Sequence, residues 1–492
     1  MFRLGGSGLG VTGGSSAAGE VILVGAPADR IKEISMPRQR LSRSHLTATG
    51  AVLVAAATAA VALTATAGAS GTKEHAKDAV KGGRAKNVIL LIGDGMGDSE
   101  ITLARDYTVG AAGRLNMDRF PLTGAYTTYA VHADGTPDYV TDSAASGTGW
   151  ATGVKTVNGR ISKTPGTDKA VPTILELAQK GGYATGSVTT AELTDATPAV
   201  LASHATDRSC QGPADMAKCP TDTIAKGGPG SIAEQSVNHK VDVLLGGGKQ
   251  RFDQKVTEGK YQGLTVTEQA RKLGYQVVTD GASLKTVKAG KPVLGLFAPG
   301  NVPTEWTGKA AAVGGTDPQR CVTSNPNRPA DTPDLADQTA RAIQLLEAKQ
   351  KRNHSEKGFF LQVEGASIDK QDHAADPCGQ IGETAAFDRA VKTARAYAAK
   401  HPDTLVVTTA DHGHSSQIVP LEAQPPGLSS TLVTDEGQQI KVNYSTNTPG
   451  QSQEHTGTEV RIAAQGPQAY RVLGVTDQTD LFTTIREALR VH

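Results

Sequence analysis

The chain has 492 residues, with 50 lysines and arginines against 49 aspartates and glutamates, so it lacks the basic excess that a phosphate-backbone binder needs. Aromatics make up only 4% of it, too few for the stacking platforms that hold single-stranded nucleic acid. The length and the 56 glycines and 24 prolines suit one large α/β enzyme domain whose surplus residues form functional loops.

Arg38, Arg40 and Arg43 precede an Ala/Val/Leu-rich stretch from about Leu46 to Ala65, which ends in Ala67-Gly68-Ala69. Basic, then apolar, then small is the order of a secretory signal, and cleavage is expected after Ala69. A membrane anchor is the alternative, because the stretch is about as long as a bilayer requires. The Gly-rich run before Met36 has no place in a signal, so residues 1–69 read as an extension plus a signal peptide, with translation starting at Met36. Residues 70–86 are charged and Ala-rich and read as a linker or N-terminal arm, and residues 87–492 read as the catalytic domain. Secretion, to the medium or the periplasm and without membrane insertion after cleavage, suits an even number of cysteines. Three pairings of Cys210, Cys219, Cys321 and Cys378 are open, of which 210–219 with 321–378 is the simplest because the first two lie so close. A cysteine zinc cluster would want a C-x-x-C pair, which the sequence lacks.

Continuous apolar, β-branched runs follow at 88–92, 186–190, 241–245, 293–297, 359–363 and 405–409. Unbroken runs of this length predict strands buried on both faces, hence a mostly parallel sheet. Between them, residues 173–180, 334–351 and 383–400 carry apolar positions at helical spacing. The alternation predicts a three-layer α/β/α sandwich with a large central sheet. In such a sheet ligands bind beyond the carboxyl ends of the strands.

Chemistry-bearing residues stand at those ends. The first strand runs into Gly93-Asp94-Gly95-Met96-Gly97-Asp98, whose third glycine comes one residue early for a dinucleotide fingerprint. Asp94 is either a turn residue or a carboxylate presented by a sharp glycine turn. Ser143, in Thr141-Asp142-Ser143-Ala144-Ala145, stands at a predicted helix start, where a serine is ordinarily an N-cap. The same place offers free N–H groups and a positive dipole end to a phosphate. No G-x-S-x-G elbow surrounds it, which disfavours acyl chemistry. Glu364 ends the fifth run, and Asp369 and His373 follow, four apart and so on one face of a helix if that stretch is helical. Asp411, His412 and His414 end the sixth run, and His455 follows near the C-terminus. Each cluster has a bland reading, but their convergence on one rim predicts a multi-metal site.

The motifs around these residues resemble those of the bacterial alkaline phosphatases, the enterobacterial periplasmic type in particular, from about Lys86 to Leu489. The resemblance implies an alkaline phosphatase-like fold and hydrolysis of small phosphate monoesters through a phosphoserine on Ser143. It implies two zinc ions, one on Asp369, His373 and His455 and the other on Asp94, Asp411 and His412. One magnesium is implied on Asp94, Asp195, Thr197 and Glu364, an all-oxygen set suited to a hard ion. Arg208 is implied as the phosphate clamp, oriented by Asp142, with Lys370 also at the substrate site, and the subunits are implied to form a homodimer. Related activities fit less well: a sulfatase needs a C/S-x-P-x-R context that Ser143 lacks, and a phosphoglycerate mutase would not carry an export signal.

Overall fold

A computed structural model describes residues 82–492. The signal peptide, the start at Met36 and the arm as far as residue 81 lie outside the described residues. Four strands form the heart of a ten-stranded sheet: β1 (Asn87–Gly93), β2 (Ala184–Glu192), β3 (Phe359–Gly365) and β4 (Thr404–Ala410), in spatial order β4-β1-β3-β2. All four are buried from end to end, because helices cover both faces, and this is why β1, β3 and β4 are largely apolar without alternation while β2 carries small and hydroxyl side chains. They pair in parallel, with Gly93 opposite both Ala410 and Gly365, and Thr189 opposite Glu364. The strands therefore stop on one line, and the residues that follow them share one rim.

Beyond β2 the sheet continues in parallel through Val243–Gly247, Val293–Leu296 and Gln276–Val278. Beyond β4 come Val460–Gln465, the one strand that runs against the others, then Leu122–Thr127 and Gly474–Asp477. These last three, and Gln276–Val278, have no counterpart among the six predicted strands. Leu122–Thr127 and Gly474–Asp477 are partly exposed at the sheet's end and so lack a continuous apolar run. The three helices expected from periodicity are Ile174–Lys180, Leu335–Arg352 and Pro377–Lys400. The last begins six residues before the expected 383, because the Asp376 side chain accepts the free N–H groups of Cys378 and Gly379 and Pro377 presets the first turn. Leu335–Arg352 and Pro377–Lys400 pack together on the central strands, and the other face carries Ser143–Thr152 and Asp480–Leu489, completing the α/β/α sandwich.

A small antiparallel sheet of Ser416–Val419, Gln439–Tyr444 and Leu428–Val433 stands apart from the main one. Disulfides join Cys210 to Cys219 and Cys321 to Cys378, the simplest of the three pairings. Among the described residues no helix is long and apolar enough to cross a membrane.

Candidate active site and metal centre

Ser143 opens helix α1 (Ser143–Thr152), all ten residues of which are buried. Its N-cap is Asp142, whose side chain accepts the N–H of Ala145 at 2.9 Å and that of Gly159 at 3.0 Å. The serine is thus left free of the capping duty that its position suggested. Its Oγ points to the rim, 3.3 Å from His412 Nε2 and 3.5 Å from Asp94 Oδ1. Asp94 is placed by β1 and by its N–H bond to the Gly365 carbonyl, 3.1 Å. Gly95 is required for the turn: φ is +64°, and a Cβ there would meet His414 at 2.9 Å and the Asp369 backbone at 3.1 Å. Its N–H instead reaches Asp411 Oδ1 at 2.8 Å, which locks the ends of β1 and β4 together.

The expected helix forms as Ser367–His373 and brings Asp369 and His373 to one face. Around Asp369 Oδ1 stand three imidazole nitrogens: His414 Nε2 at 3.1 Å, His455 Nε2 at 3.2 Å and His373 Nε2 at 3.4 Å. The other ring nitrogens are tied elsewhere, His373 Nδ1 to the Gln453 carbonyl and His455 Nδ1 to the Thr141 carbonyl at 3.0 Å, whereas His414 Nδ1 accepts the Ser415 N–H at 2.8 Å. An imidazole that donates from Nδ1 to a carbonyl turns a lone pair outward from Nε2, which is the arrangement of a metal-ligating histidine. His412 repeats the pattern, with Nδ1 at the Gly413 carbonyl and Nε2 3.2 Å from Asp411 Oδ2 and 3.5 Å from Asp94 Oδ1. The imidazole nitrogens and carboxylate oxygens of these side chains thus face one another at 3.1–3.5 Å. Asp411 Oδ2 and Thr197 Oγ1 are buried without a hydrogen-bond partner. A divalent cation satisfies such a set and a proton-poor protein interior does not, so the donor chemistry fits metal.

Two groups of donors lie close enough together to share one ion: Asp369, His373, His414 and His455, and Asp94, Asp369 and His412. The first contains the expected trio plus His414, whose position between the sixth run and its neighbours was visible but to which no role was attached. In the second, Asp369 stands where Asp411 was expected, and Asp411 adjoins it through His412. The expected oxygen set is more dispersed. Glu364 is buried on β3 and accepts the hydroxyl of Thr189, while the oxygens of Asp195 are taken by Arg208 at 2.8 Å and Lys370 at 2.9 Å. Thr197 sits in the first turn of helix α2 (Ala196–Ala202), which Asp195 caps.

Electrostatics match this geometry. Burial, reinforced by Asp369, Asp411 and Glu364, holds the Asp94 pKa well above the usual carboxylate range. Burial also raises Glu364 to about 7, aided by Asp195, and Asp411 to about 6, aided by Asp369. Burial alone would raise Asp369 as well, but hydrogen bonds to His414 and His455 hold it well below. Burial lowers His412 far below its ordinary value, which leaves it neutral and able to ligate. Asp195 is driven down by Lys370 and Arg208 against its own burial, and both partners are raised in return.

Arg208 spans Asp142 Oδ2, 3.0 Å, and Asp195 Oδ1, 2.8 Å. A cavity of about 280 Å³ opens over Ser143, Arg208, Asp369, His373 and His455, with Val140, Asn158 and Glu454 on its walls. An anion in it would meet the N-terminus of α1, the guanidinium and the histidine cluster together.

The alkaline phosphatase family model matches residues 85–434 and 429–491. Over 406 residues the chain is 62% identical to a streptomycin-6-phosphate phosphatase of Streptomyces griseus, a match covering 82% of this chain and 90% of that one. It is 54% identical to the alkaline phosphatase of Escherichia coli K12 over 424 residues, 84% of this chain and 88% of the relative. The solved structure of the alkaline phosphatase from the Antarctic bacterium TAB5 superposes with a TM-score of 0.62 at 25% identity, covering 83% of this chain and 99% of that one. With the family model spanning the whole described fold and these likenesses extending along it, the chain belongs to the alkaline phosphatase family and is a phosphate-monoester hydrolase.

Proposed function

We propose that the chain hydrolyses phosphate monoesters in two steps through a phosphoserine on Ser143, with two zinc ions and one magnesium in the cluster. The observation that carries this reading is the Ser143 hydroxyl at the start of α1, 3.3 Å from a neutral His412 and beside a cluster of buried carboxylates and imidazoles close enough to share an ion. One zinc is held by Asp369, His373 and His455, the other by Asp94, Asp411 and His412. Magnesium is held by Asp94, Thr197 and Glu364, with Asp195 beside them. When bound, these ions lower the pKa of the serine hydroxyl and of water and offset charge on the leaving oxygen.

The side chains of the protein do the rest. Ser143 Oγ attacks phosphorus in line, favoured by the positive end of the α1 dipole. Arg208, braced by Asp142 and Asp195, donates two N–H groups to the equatorial oxygens and keeps them in place during both transfers. Lys370 holds Asp195 from the other side and adds positive charge beside the site. Water then attacks the phosphoserine from the side that the alcohol has left, and phosphate departs. Since the phosphoryl group receives nearly all of the contacts, the alcohol is recognised weakly and the enzyme accepts many monoesters.

Arg208→Ala is expected to raise both KM and the inhibition constant of inorganic phosphate, a loss of about 1.5–3 kcal/mol for a charged hydrogen-bonding group. Steady-state kinetics with phosphate as inhibitor measure it, and unchanged inhibition would remove Arg208 from the phosphate site. The Streptomyces relative is named for streptomycin 6-phosphate, which extends the proposed substrates to that ester, and the exposed Glu454 carboxylate on the cavity wall suits a cationic alcohol. Streptomycin 6-phosphate is then expected to be turned over at least as efficiently as an aryl phosphate, and Glu454→Gln to reduce kcat/KM for the cationic ester alone. Equal effects on both esters would contradict the role of Glu454.

Export to the periplasm or medium and assembly as a homodimer complete the proposed reading, with residues 87–492 as the catalytic domain.

A further inference from the structure

Arg208 leaves the backbone from an irregular segment that follows helix α2, so its place depends on what grips that segment. Three contacts do. Ala205 exchanges two backbone hydrogen bonds with Ile161, and the Arg208 N–H donates to the Gly159 carbonyl at 2.7 Å. Between these points, Asp222 Oδ2 accepts the Thr206 N–H at 2.8 Å. Asp222 is in turn paired with the ammonium of Lys163, which also donates to Thr206 Oγ1 at 3.2 Å. Lys163 is 7% exposed and Asp222 3%, so this is an interior ion pair whose contacts are little screened by solvent.

The pair joins three stretches of chain. Lys163 follows the loop whose Gly159 N–H caps Asp142 Oδ2, the oxygen that also receives Arg208. Asp222 follows the Cys210–Cys219 loop, where its own N–H is held by the Cys219 carbonyl at 3.0 Å. Thr206 stands two residues before the arginine. Neither charged group reaches the phosphate cavity, whose wall is formed by other side chains. We infer that Lys163 and Asp222 are positioning residues that set the phosphate affinity of the enzyme by fixing the backbone from which Arg208 reaches into the site. The inference rests on the proposed reading of Arg208 as the phosphate clamp.

The mechanism is geometric. A guanidinium that bridges Asp142 and Asp195 can direct its remaining N–H groups to an anion only from one backbone position. Loosening Thr206 lets the segment drift, and small misplacements of a clamp are costly in affinity. The chemical step depends on Ser143 and the donors on the strand ends, which the ion pair does not touch. Its loss is therefore expected in binding and not in turnover.

The test uses the metal-replete full chain and the double variant Lys163→Met/Asp222→Asn, which leaves no lone charge inside. It is made in the wild-type and in the Arg208→Ala background. In the wild-type background KM for an aryl phosphate and the inhibition constant of inorganic phosphate should rise together, about tenfold, with kcat held within about threefold. In the Arg208→Ala background the double variant should add no further loss, since two residues acting through one contact are not additive. Thermal melting verifies that each variant is folded at the assay temperature. Unaltered phosphate inhibition in a folded double variant, while Arg208→Ala does weaken it, overturns the positioning role and leaves the clamp standing. Equal losses in both backgrounds overturn it too, because the pair would then act by a route other than Arg208. No effect of Arg208→Ala itself removes the clamp and the positioning role together.

Discussion

Ser143→Ala is expected to lower kcat by three or more orders of magnitude, which is about 4 kcal/mol or more of transition-state stabilisation at 1.36 kcal/mol per decade. The size follows from the site's geometry. The hydroxyl is the one nucleophile aligned with the start of α1 and directed to the donor cluster, and the caps and hydrogen bonds of the helix belong to Asp142 rather than to the serine. Alanine therefore removes the reacting oxygen and leaves the local fold intact. Any residual rate would come from direct attack of water on a phosphate still held by Arg208 and the cations. Acid quenching with labelled substrate should trap phosphoserine in the wild type and nothing in the variant. Full activity in Ser143→Ala, or absence of the covalent adduct in the wild type, would show that another group attacks phosphorus.

Chelation is expected to abolish activity and to make stability fall more steeply as pH rises. Glu364 titrates at about 7 and Asp411 at about 6 in the metal-free fold, each above its ordinary value because burial penalises the carboxylate. A group whose pKa is raised on folding stabilises the fold fully below its unfolded pKa and loses that contribution as pH rises through the folded value. The metal-free protein should accordingly melt at progressively lower temperature from about pH 4 to pH 8. Cations take the place of those protons, so the metal-replete protein should lose much less melting temperature across the same range, with the buried Glu100 and Glu383, each raised to about 7, supplying the remaining slope. Saturating metal adds about 4 kcal/mol per site at a thousandfold excess over Kd. Elemental analysis with parallel melting curves checks both parts, with two zinc and one magnesium expected per chain. A chelated protein that keeps its turnover, or whose melting temperature is flat with pH, would refute the account.

Much of the site was legible because chemistry and strand ends coincide in the sequence. Buried parallel strands need unbroken apolar runs, and the residue types that follow each run are ones that an interior rarely tolerates without a partner. Asp94, Glu364, Asp411 and His412 could be found by that rule alone. Asp369 and His373 needed only the helical repeat. Ser143 stood out as a phosphate-facing helix start and His455 as a candidate imidazole, whereas Asp195, Thr197 and Arg208 took their roles only from the resemblance of whole motifs. His414 was seen and left without a role; Gly413 lies in extended backbone bridged to Thr456, where a Cβ would collide with Thr458 at 2.4 Å, so His412 and His414, two places apart, face the same side. The end strands of the sheet were missed for a related reason: partial cover weakens the apolar signal on which the reading relied.

Burial and periodicity act locally, so the class of fold, the order of the central strands along the chain, and the supply of carboxylates, imidazoles and one serine near their ends could be read from the residues in line. Folding in three dimensions fixed which nitrogen of each histidine looks inward, which oxygens are buried without a hydrogen-bond partner, and that Lys163 and Asp222 meet at Thr206, two residues before Arg208. Those facts depend on contacts between residues tens to hundreds of positions apart, such as the Thr141 carbonyl with His455 or the Gly95 N–H with Asp411. No local pattern encodes them, since each is set by the register of parallel strands and by the loops that the register brings together.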